Sequence, residues 1–171
     1  MRGTVHSSVY PLLWNLIDSH DTARFLHICG ENKEKFKLAV AMQLLTTGMP
    51  MIYYGDEYGM TGGDGSDCRR GMVWKKQYQD LDIYEWYQKL IALRKRIPAL
   101  TEGKTTCKQA VDNQGLVIYE KAKEDGEKVC VIFHNSEKEE SMPERIGQLE
   151  EVSGQVFDGK LKAYQTLVFV E

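Results

Sequence analysis

Residues 12–25 read LLWNLIDSHDTARF, an apolar run that ends at a cluster of polar side chains. The apolar part, residues 12–17, is too short for a helix and predicts a strand buried on both faces. The polar residues that follow at once are Asp18, Ser19, His20, Asp21 and Arg24. In parallel α/β folds ligands bind where strands end, because the loops there vary while the sheet stays rigid. The stretch therefore predicts a site at the end of a buried strand.

A helix and a second strand follow this cluster. Asn32 is placed to cap a helix over residues 33–47, whose apolar positions form one stripe. Gly48 and Pro50 end this helix. The next four residues, 51–54, read MIYY and again predict a short strand buried on both faces, as strands of parallel sheets are. The order strand, helix, strand indicates an α/β fold.

A long loop and one more helix complete the first hundred residues. Residues 55–76 are rich in glycine, and a loop of about twenty residues is long enough to have a function. Asp82 and Glu85 have the spacing of a capping box, which predicts a helix from near Asp82 to the residue before Pro98. Residues 1–100 are thus predicted to hold two consecutive strand-loop-helix units.

Beyond residue 100 the helical periodicity gives way to short alternating runs separated by turn signals. Strands are predicted over residues 116–119, 128–133, 147–152, 154–157 and 166–170, with a turn at Asp158-Gly159. This pattern indicates an antiparallel all-β domain, a small sandwich, over residues 101–171. The domain boundary is expected near residues 98–103.

Charge and cysteine pattern limit the class of partner and the compartment. The chain has 22 Lys and Arg against 25 Asp and Glu, a net charge of −3 and no basic stripe, so no nucleic-acid partner is expected. Polar residues, Gly and Pro interrupt the longest weakly polar run, residues 38–54, so no membrane span is predicted. The four cysteines are far apart and residues 1–11 lack a signal-peptide core, which together predict a cytoplasmic protein with reduced thiols.

The polar cluster after the first strand has more than one interpretation. A Ser-His-Asp relay is excluded, because its side chains must converge from separate segments. Two carboxylates and the His20 imidazole are candidate metal ligands, although no further ligand cluster accompanies them in the sequence. The structural alternative is that Asp18 or Asp21 caps the following turn and that His20 packs in the core.

Two further polar clusters lie in the glycine-rich loop. Gly55-Asp56-Glu57 follows the second strand, where paired acids serve acid/base chemistry or anchor the loop by accepting backbone hydrogen bonds. Asp67-Cys68-Arg69-Arg70 holds two guanidinium groups, which donate to carboxylates or sugar hydroxyl groups or form salt bridges within the loop. Trp74, beside this loop, is a candidate for stacking on a sugar ring.

Three motifs together resemble the alpha-amylase family, glycoside hydrolase family 13. They are NLIDSHDTARF at residues 15–25, GMPMIYYGDE at residues 48–57 and DCRRGMVW at residues 67–74. The resemblance covers roughly residues 12–171 and is greatest to the neopullulanase and cyclomaltodextrinase branch. It implies the last two β/α units of a (β/α)8 barrel in residues 1–100, followed by a C-terminal antiparallel β-sandwich in residues 101–171.

The resemblance also implies site residues and a ligand. Members of the family hydrolyse α-1,4 glucosidic bonds with retention, using a nucleophile, a proton donor and a third carboxylate. By motif, Asp21 corresponds to that third carboxylate, which stabilises the transition state. His20 corresponds to a histidine that hydrogen-bonds the sugar being cleaved, and Arg69 to an arginine that reaches toward the neighbouring sugar. The implied ligand is a maltooligosaccharide or cyclodextrin, and no metal or cofactor is assigned to these residues.

The chain departs from the family pattern at its beginning and in its loop. Strands one to six of the barrel, with the nucleophile and the general acid, are expected before Leu12, where only eleven residues stand. Gly65-Ser66 and Gly71 stand where relatives usually show Asp-Pro and Pro. Since retaining hydrolysis needs both missing groups, we expect a C-terminal portion of an α-glucan hydrolase that is inactive alone.

Two alternatives and one physical consequence accompany this expectation. The chain is alternatively a non-catalytic glucan-binding or assembly module, or is complemented by a separate chain that bears strands one to six. Two barrel strands without their neighbours leave open edges and apolar faces. We therefore expect the missing N-terminal barrel portion as a partner, or self-association, strand exchange or disorder in residues 1–60.

Overall fold

A computed structural model describes residues 7–111, 115–141, 150–151, 153–154 and 157–170. The strands predicted over residues 147–152 and 154–157 lie largely outside these described residues. The chain divides into an N-terminal unit, Met1–Gln88, and a C-terminal unit, Lys89–Glu171. The boundary expected at residue 100 stays a prediction.

The N-terminal unit contains two short parallel strands and the helices that connect them. A 3-10 helix, Ser7–Leu12, leads into β1, Trp14–Asn15. The chain continues through α1, Phe25–Ile28, and α2, Lys33–Leu45, to β2, Met49–Pro50. β1 and β2 pair in parallel, with Trp14 opposite Met49.

Both strands are shorter and more exposed than the sequence predicts. Leu12, Trp14 and Leu16 are 62%, 66% and 48% exposed, so the expectation of a buried strand over residues 12–17 is wrong. The strand predicted at residues 51–54 is also wrong, because β2 ends at Pro50. Parallel strands are buried when neighbours flank them on both sides. In the described part of the chain, β1 and β2 have only each other.

Two side-chain amides hold the strands to the end of α2. The Asn15 Nδ2 group donates to the carbonyl oxygens of Gln43 and Thr47, at 3.3 and 3.1 Å. The Gln43 Nε2 group donates to the carbonyl oxygens of Asn15 and Met51, at 3.3 and 2.7 Å. Gly48 has a φ of +127°, and a Cβ there would lie 2.6 Å from the Asn15 Oδ1 atom. This junction therefore requires glycine.

α2 begins and packs as its sequence predicts. The Asn32 Oδ1 atom accepts hydrogen bonds from the backbone N–H groups of Glu34 and Lys35, both at 3.1 Å. The predicted N-cap is therefore confirmed. The predicted apolar stripe is buried at Phe36, Val40 and Leu44.

The glycine-rich loop contains 3-10 turns and leads into α3, Leu81–Arg96. The helix begins one residue before its predicted start. Its cap is Asp80, whose Oδ1 atom accepts from the backbone N–H of Ile83 at 3.3 Å. The capping box predicted from Asp82 and Glu85 is therefore wrong, and Asp82 instead pairs with a lysine of α2 at 2.6 Å.

The C-terminal unit is antiparallel, as predicted. It begins within α3 and continues with α4, Ala99–Glu102, which the sequence did not predict. Its strands are β3, Lys104–Val111; β4, Leu116–Ala122; β5, Lys128–His134; β6, Glu140–Ser141; β7, Glu150–Glu151; β8, Lys160–Leu161; and β9, Thr166–Val170. The larger sheet has the order β3-β4-β5-β9-β7, and β6 pairs with β8. β4, β5 and β9 confirm the predicted strands.

The core of the C-terminal unit includes residues from both of its sheets. Leu161 of β8 packs with the larger sheet in a buried cluster that also contains Leu116, Ile118, Ile132, Leu167 and Phe169. Phe157 packs edge-on against Phe169, with ring centroids 5.6 Å apart. Burial of these side chains is the main stabilising contribution in this unit.

Lys121 is a fully buried lysine on β4. Its Nζ group donates a hydrogen bond to the carbonyl oxygen of Leu100. Burial, and to a smaller extent the charge of Arg94, lowers the pKa of Lys121 to about 8 from its ordinary value of 10.5. Between these two values the unfolded chain binds more protons than the folded chain. The contribution of Lys121 to the free energy of unfolding is therefore expected to rise with pH from about 8 to 10.5.

Lys121→Met is expected to remove this rise, because methionine binds no proton. In wild type, the unfolding constant of the C-terminal unit should fall by up to about tenfold per pH unit relative to the variant. Denaturant unfolding, followed by far-ultraviolet circular dichroism between about pH 8 and 10.5, measures this unfolding constant. Lys160→Met, which removes an exposed lysine from the same unit, should behave as wild type. Parallel pH dependences of wild type and Lys121→Met would contradict the prediction.

Two further expectations concern membranes and cysteines. None of the helices in the described residues combines the length and the hydropathy needed to cross a membrane. The four cysteines are free, as predicted, with Cys68 buried and Cys107 exposed. The cytoplasmic location stays a prediction.

Candidate functional site

The loop after β1 presents His20 and Asp21 on a tight turn. The Ser19 backbone N–H donates to the Thr22 hydroxyl at 3.0 Å, and the Ser19 hydroxyl accepts from the Asp21 backbone N–H at 3.2 Å. Such side-chain-to-backbone bonds are typical of turns built by Ser and Thr. The His20 Nε2 atom lies 3.3 Å from the Asp21 Oδ2 atom, and the two side chains are 67% and 74% exposed. The turn therefore holds an imidazole and a carboxylate side by side, facing solvent.

This geometry decides between the structural interpretations of the cluster. His20 is exposed, so its interpretation as a core residue is wrong. Asp18 is 2% exposed, and its Oδ2 atom accepts from the Phe25 backbone N–H at 2.7 Å. Asp18 therefore caps the first N–H of α1, which lies beyond the turn that the structural alternative assigns to it. Within the described ranges, no three His, Cys, Asp or Glu side chains come together as a metal site.

Arg24 is fully buried and connects three loops. Its Nη1 group donates to the Asp56 Oδ1 atom at 2.8 Å and to the Tyr54 carbonyl oxygen at 2.6 Å. Its Nε group donates to the Cys68 carbonyl oxygen at 3.0 Å. The guanidinium also lies over the Tyr53 ring, 4.1 Å from the centroid, which adds a cation–π contact. Arg24 thereby fixes the loop after β1 to the residues after β2 and to the loop at residues 67–70.

Asp56 is the buried acidic partner of Arg24, and it also contacts Asp18. Its side chain is 1% exposed, and the Asp18 carboxyl lies close enough to affect its ionisation. Burial, followed by the contact with Asp18, raises the pKa of Asp56 to about 9, against the opposing effect of Arg24. Burial and these two carboxyl groups also raise the pKa of the nearby Tyr87 hydroxyl. Asp56 thus anchors the loop and is not poised as an acid/base catalyst.

The loop at residues 67–70 lies against the turn that carries His20. The Cys68 Sγ atom contacts the His20 carbonyl oxygen at 3.6 Å. Arg70 is held within its own loop by hydrogen bonds to backbone carbonyl oxygens and by an ion pair with Asp67 at 3.3 Å. Arg69, directly after Cys68, extends into solvent. The structure therefore places all three motif-derived side chains, His20, Asp21 and Arg69, on exposed turns of adjoining loops.

The buried support of this site was not evident from the sequence. Arg24 and Asp56 both stand in the quoted motifs, but they are 32 positions apart and nothing in the sequence pairs them. The sequence makes Asp56 a candidate for acid/base chemistry or for loop anchoring, and in the structure Asp56 anchors the loop. The signal that points to Arg24 is its position at the end of an otherwise polar turn, immediately before an apolar helix start.

Comparison with known proteins gives a consistent match. A model of the alpha-amylase catalytic domain matches residues 4–77. Neopullulanase 2 of Thermoactinomyces vulgaris is 39% identical over 168 residues, and a cyclomaltodextrinase of Geobacillus thermopakistaniensis is 44% identical over 131 residues. The crystal structure of a maltogenic amylase from S. marinus superposes with a TM-score of 0.79 at 26% identity.

The matches cover most of this chain and a minor part of each relative. They span 91% and 76% of the chain in the two sequence relatives, but only 29% and 22% of those proteins. The structural match spans 90% of the chain and 22% of the maltogenic amylase. The residues that the family model matches include the loops that carry His20, Asp21 and Arg69. The chain therefore belongs to the alpha-amylase family, glycoside hydrolase family 13, and is similar to its neopullulanases and cyclomaltodextrinases.

Proposed function

We propose that these 171 residues supply the sugar-holding side of an α-glucan hydrolase site. In this proposal they form the last two β/α units of a (β/α)8 barrel and the β-sandwich that follows it. The single observation that carries the proposal is the turn that holds His20 and Asp21 side by side and exposed, 3.3 Å apart, within a motif of the family.

Each exposed side chain has a role in this proposal that its chemistry supports. Asp21 is the carboxylate that stabilises the transition state, since a carboxylate accepts hydrogen bonds from sugar hydroxyl groups and offsets developing positive charge. His20 hydrogen-bonds hydroxyl groups of the same sugar. Arg69 reaches the neighbouring sugar, because a guanidinium offers several donors in a fixed geometry. The ligand is a maltooligosaccharide or a cyclodextrin.

The chain by itself is proposed to bind sugar without cleaving it. Retaining hydrolysis needs a nucleophile and a proton donor about 5 Å apart across the scissile bond. The acids packed behind the His20 turn, Asp18 and Asp56, are buried and bound to a backbone N–H and to Arg24. Neither is therefore accessible to a glycosidic bond. The alternative is a non-catalytic glucan-binding or assembly module, in which the sandwich makes the contact.

Titration of the 171-residue chain with maltotriose tests the proposal. We expect saturable binding by calorimetry, and Asp21→Asn should weaken it roughly tenfold or more, because a hydrogen bond to a charged group contributes about 1.5–3 kcal/mol. Asp125→Asn, a matched change at an exposed position of the C-terminal unit, should leave the affinity unchanged. A reducing-sugar assay should detect no product.

Two results would contradict parts of this proposal. Release of reducing sugar by the purified 171-residue chain would show that the chain carries its own catalytic pair. Maltotriose binding that survives Asp21→Asn unchanged would favour the binding-module alternative and place the sugar elsewhere.

A further inference from the structure

The buried cluster behind the His20 turn has a charge and hydrogen-bond imbalance. It contains one cation, Arg24, and two carboxyl groups, Asp18 and Asp56, all at most 2% exposed. The Asp18 Oδ2 and Asp56 Oδ1 atoms accept from the Phe25 N–H and from Arg24. Among the described residues, their other oxygens, Asp18 Oδ1 and Asp56 Oδ2, are buried without a donor, and the Arg24 Nη2 group is buried without an acceptor.

Two buried carboxylates facing one guanidinium leave an uncompensated negative charge, which is costly in a protein interior. The Asp18 carboxyl is among the causes that raise the pKa of Asp56, and a carboxylate is a hydrogen-bond acceptor only. A single proton between them removes both difficulties. It gives the cluster a net charge of zero and supplies the donor that the two remaining oxygens lack.

We propose that Asp18 and Asp56 share one proton in the folded chain, and that this proton holds the loop of His20 and Asp21 closed against Cys68. Asp18 belongs to that loop and caps α1, whereas Asp56 follows β2, so their contact bridges the two segments. Asp18 and Asp56 are positioning residues, because they act through the turn. The inference rests on the fold and does not depend on the proposed function.

The surroundings of the pair favour the protonated form. Arg24 is the cation in contact with it, Glu57 adds a further negative charge from the same 3-10 turn, and the Tyr87 hydroxyl approaches from α3. Burial raises the pKa of Asp56 to about 9, far above its ordinary value of 3.8. Between these values the folded chain binds more protons than the unfolded chain. Stability from the pair is therefore lost as pH rises from about 4 to 9.

Infrared spectroscopy of the native chain at pH 7 tests the shared proton directly. The carbonyl stretch of a protonated carboxylic acid should be present in wild type. It should disappear in Asp18→Asn and in Asp56→Asn, whose amides donate in place of the proton and keep the cluster neutral with Arg24. Asp64→Asn, at an exposed position of the same unit, should retain the band. Absence of the band from wild type would overturn the proposal without need of any variant.

Reactivity of the Cys68 thiol tests the positioning role. Cys68 is 1% exposed and lies behind the His20 carbonyl, so opening of the loop exposes it. Between pH 5 and about 8, the labelling rate of Cys68 in wild type, divided by that in Asp56→Asn, should rise about tenfold per pH unit. Mass spectrometry separates Cys68 from the other cysteines, and the ratio cancels the intrinsic ionisation of the thiol. A ratio that is constant with pH would overturn the positioning role, whether or not the chain binds sugar.

Discussion

Arg24→Met is expected to lower the free energy of unfolding of the N-terminal unit by about 3–5 kcal/mol, the loss typical of breaking a buried ion pair. Arg24 is fully buried and donates to the Asp56 carboxylate and to the carbonyl oxygens of Tyr54 and Cys68. Methionine fills much of the same volume but donates nothing. The substitution therefore leaves three acceptors, two of them in fully buried hydrogen bonds, without this donor.

Tryptophan fluorescence during urea unfolding measures this loss, because all three tryptophans lie in the N-terminal unit. Arg69→Met is the matched control: the same chemical change at an exposed arginine should alter stability by no more than about 0.5 kcal/mol. If Arg24→Met were as stable as Arg69→Met, the three loops would be held by other contacts, and the assignment of Arg24 as their connection would be wrong.

Self-association of the purified chain is the second large effect that we expect, and Trp14→Ser should weaken it. β1 has β2 as its one partner in the described residues, and Trp14 is 66% exposed beside the similarly exposed Leu12 and Leu16. Open strand edges and contiguous apolar surface promote pairing with another copy. Removal of a large apolar side chain from such an interface costs about 2 kcal/mol per copy. A dimer that buries Trp14 of both copies therefore loses about 4 kcal/mol, or roughly 1,000-fold in the dissociation constant.

Sedimentation equilibrium over a range of protein concentrations gives that dissociation constant. Trp74→Ser provides the comparison, because Trp74 is 81% exposed in the same unit but lies far along the chain from β1. It should leave the association unchanged. A chain that stays monomeric at every concentration, or an equal effect of the two substitutions, would show that β1 is not the associating surface.

The elements that the sequence predicts well are those whose signals are local. The Asn32 cap and the apolar stripe of α2 lie within fourteen consecutive residues, and both are confirmed. The strands at β4, β5 and β9 are equally local, each an apolar run between turn signals. Propensity, capping and periodicity agree in these segments, so no distant contact is needed to identify them.

The errors arise where the outcome depends on neighbours that a local pattern does not encode. The apolar run at residues 12–17 has the composition of a buried strand, but burial also requires flanking elements, and Trp14 is exposed. The capping-box spacing predicts Asp82 as the cap of α3, whereas the loop places the Asp80 carboxylate to accept from the Ile83 N–H.

The candidate site also has a part that the sequence predicts, the motif residues, and a part that it does not, their buried support. His20, Asp21 and Arg69 were assigned through motifs, and the structure places them on exposed turns, although their roles stay proposals. The buried support could not be predicted, because the pairing of Arg24 with Asp56 is a tertiary contact. A charged residue in a polar stretch has the sequence signature of a surface residue, and only the fold shows that it is inside.

The amide lock between Asn15 and Gln43 has a consequence for protein engineering. It sets the register of β1 on β2, and in the described residues no other strand pairs with either of them. A foreign strand that pairs with the other edge of β1 would therefore add to strands whose register is already set. This segment is therefore suited to chimeras in which N-terminal segments of different relatives are fused to these residues as a common C-terminal segment. Gly48 should be kept in every such fusion, because a Cβ there would clash with Asn15.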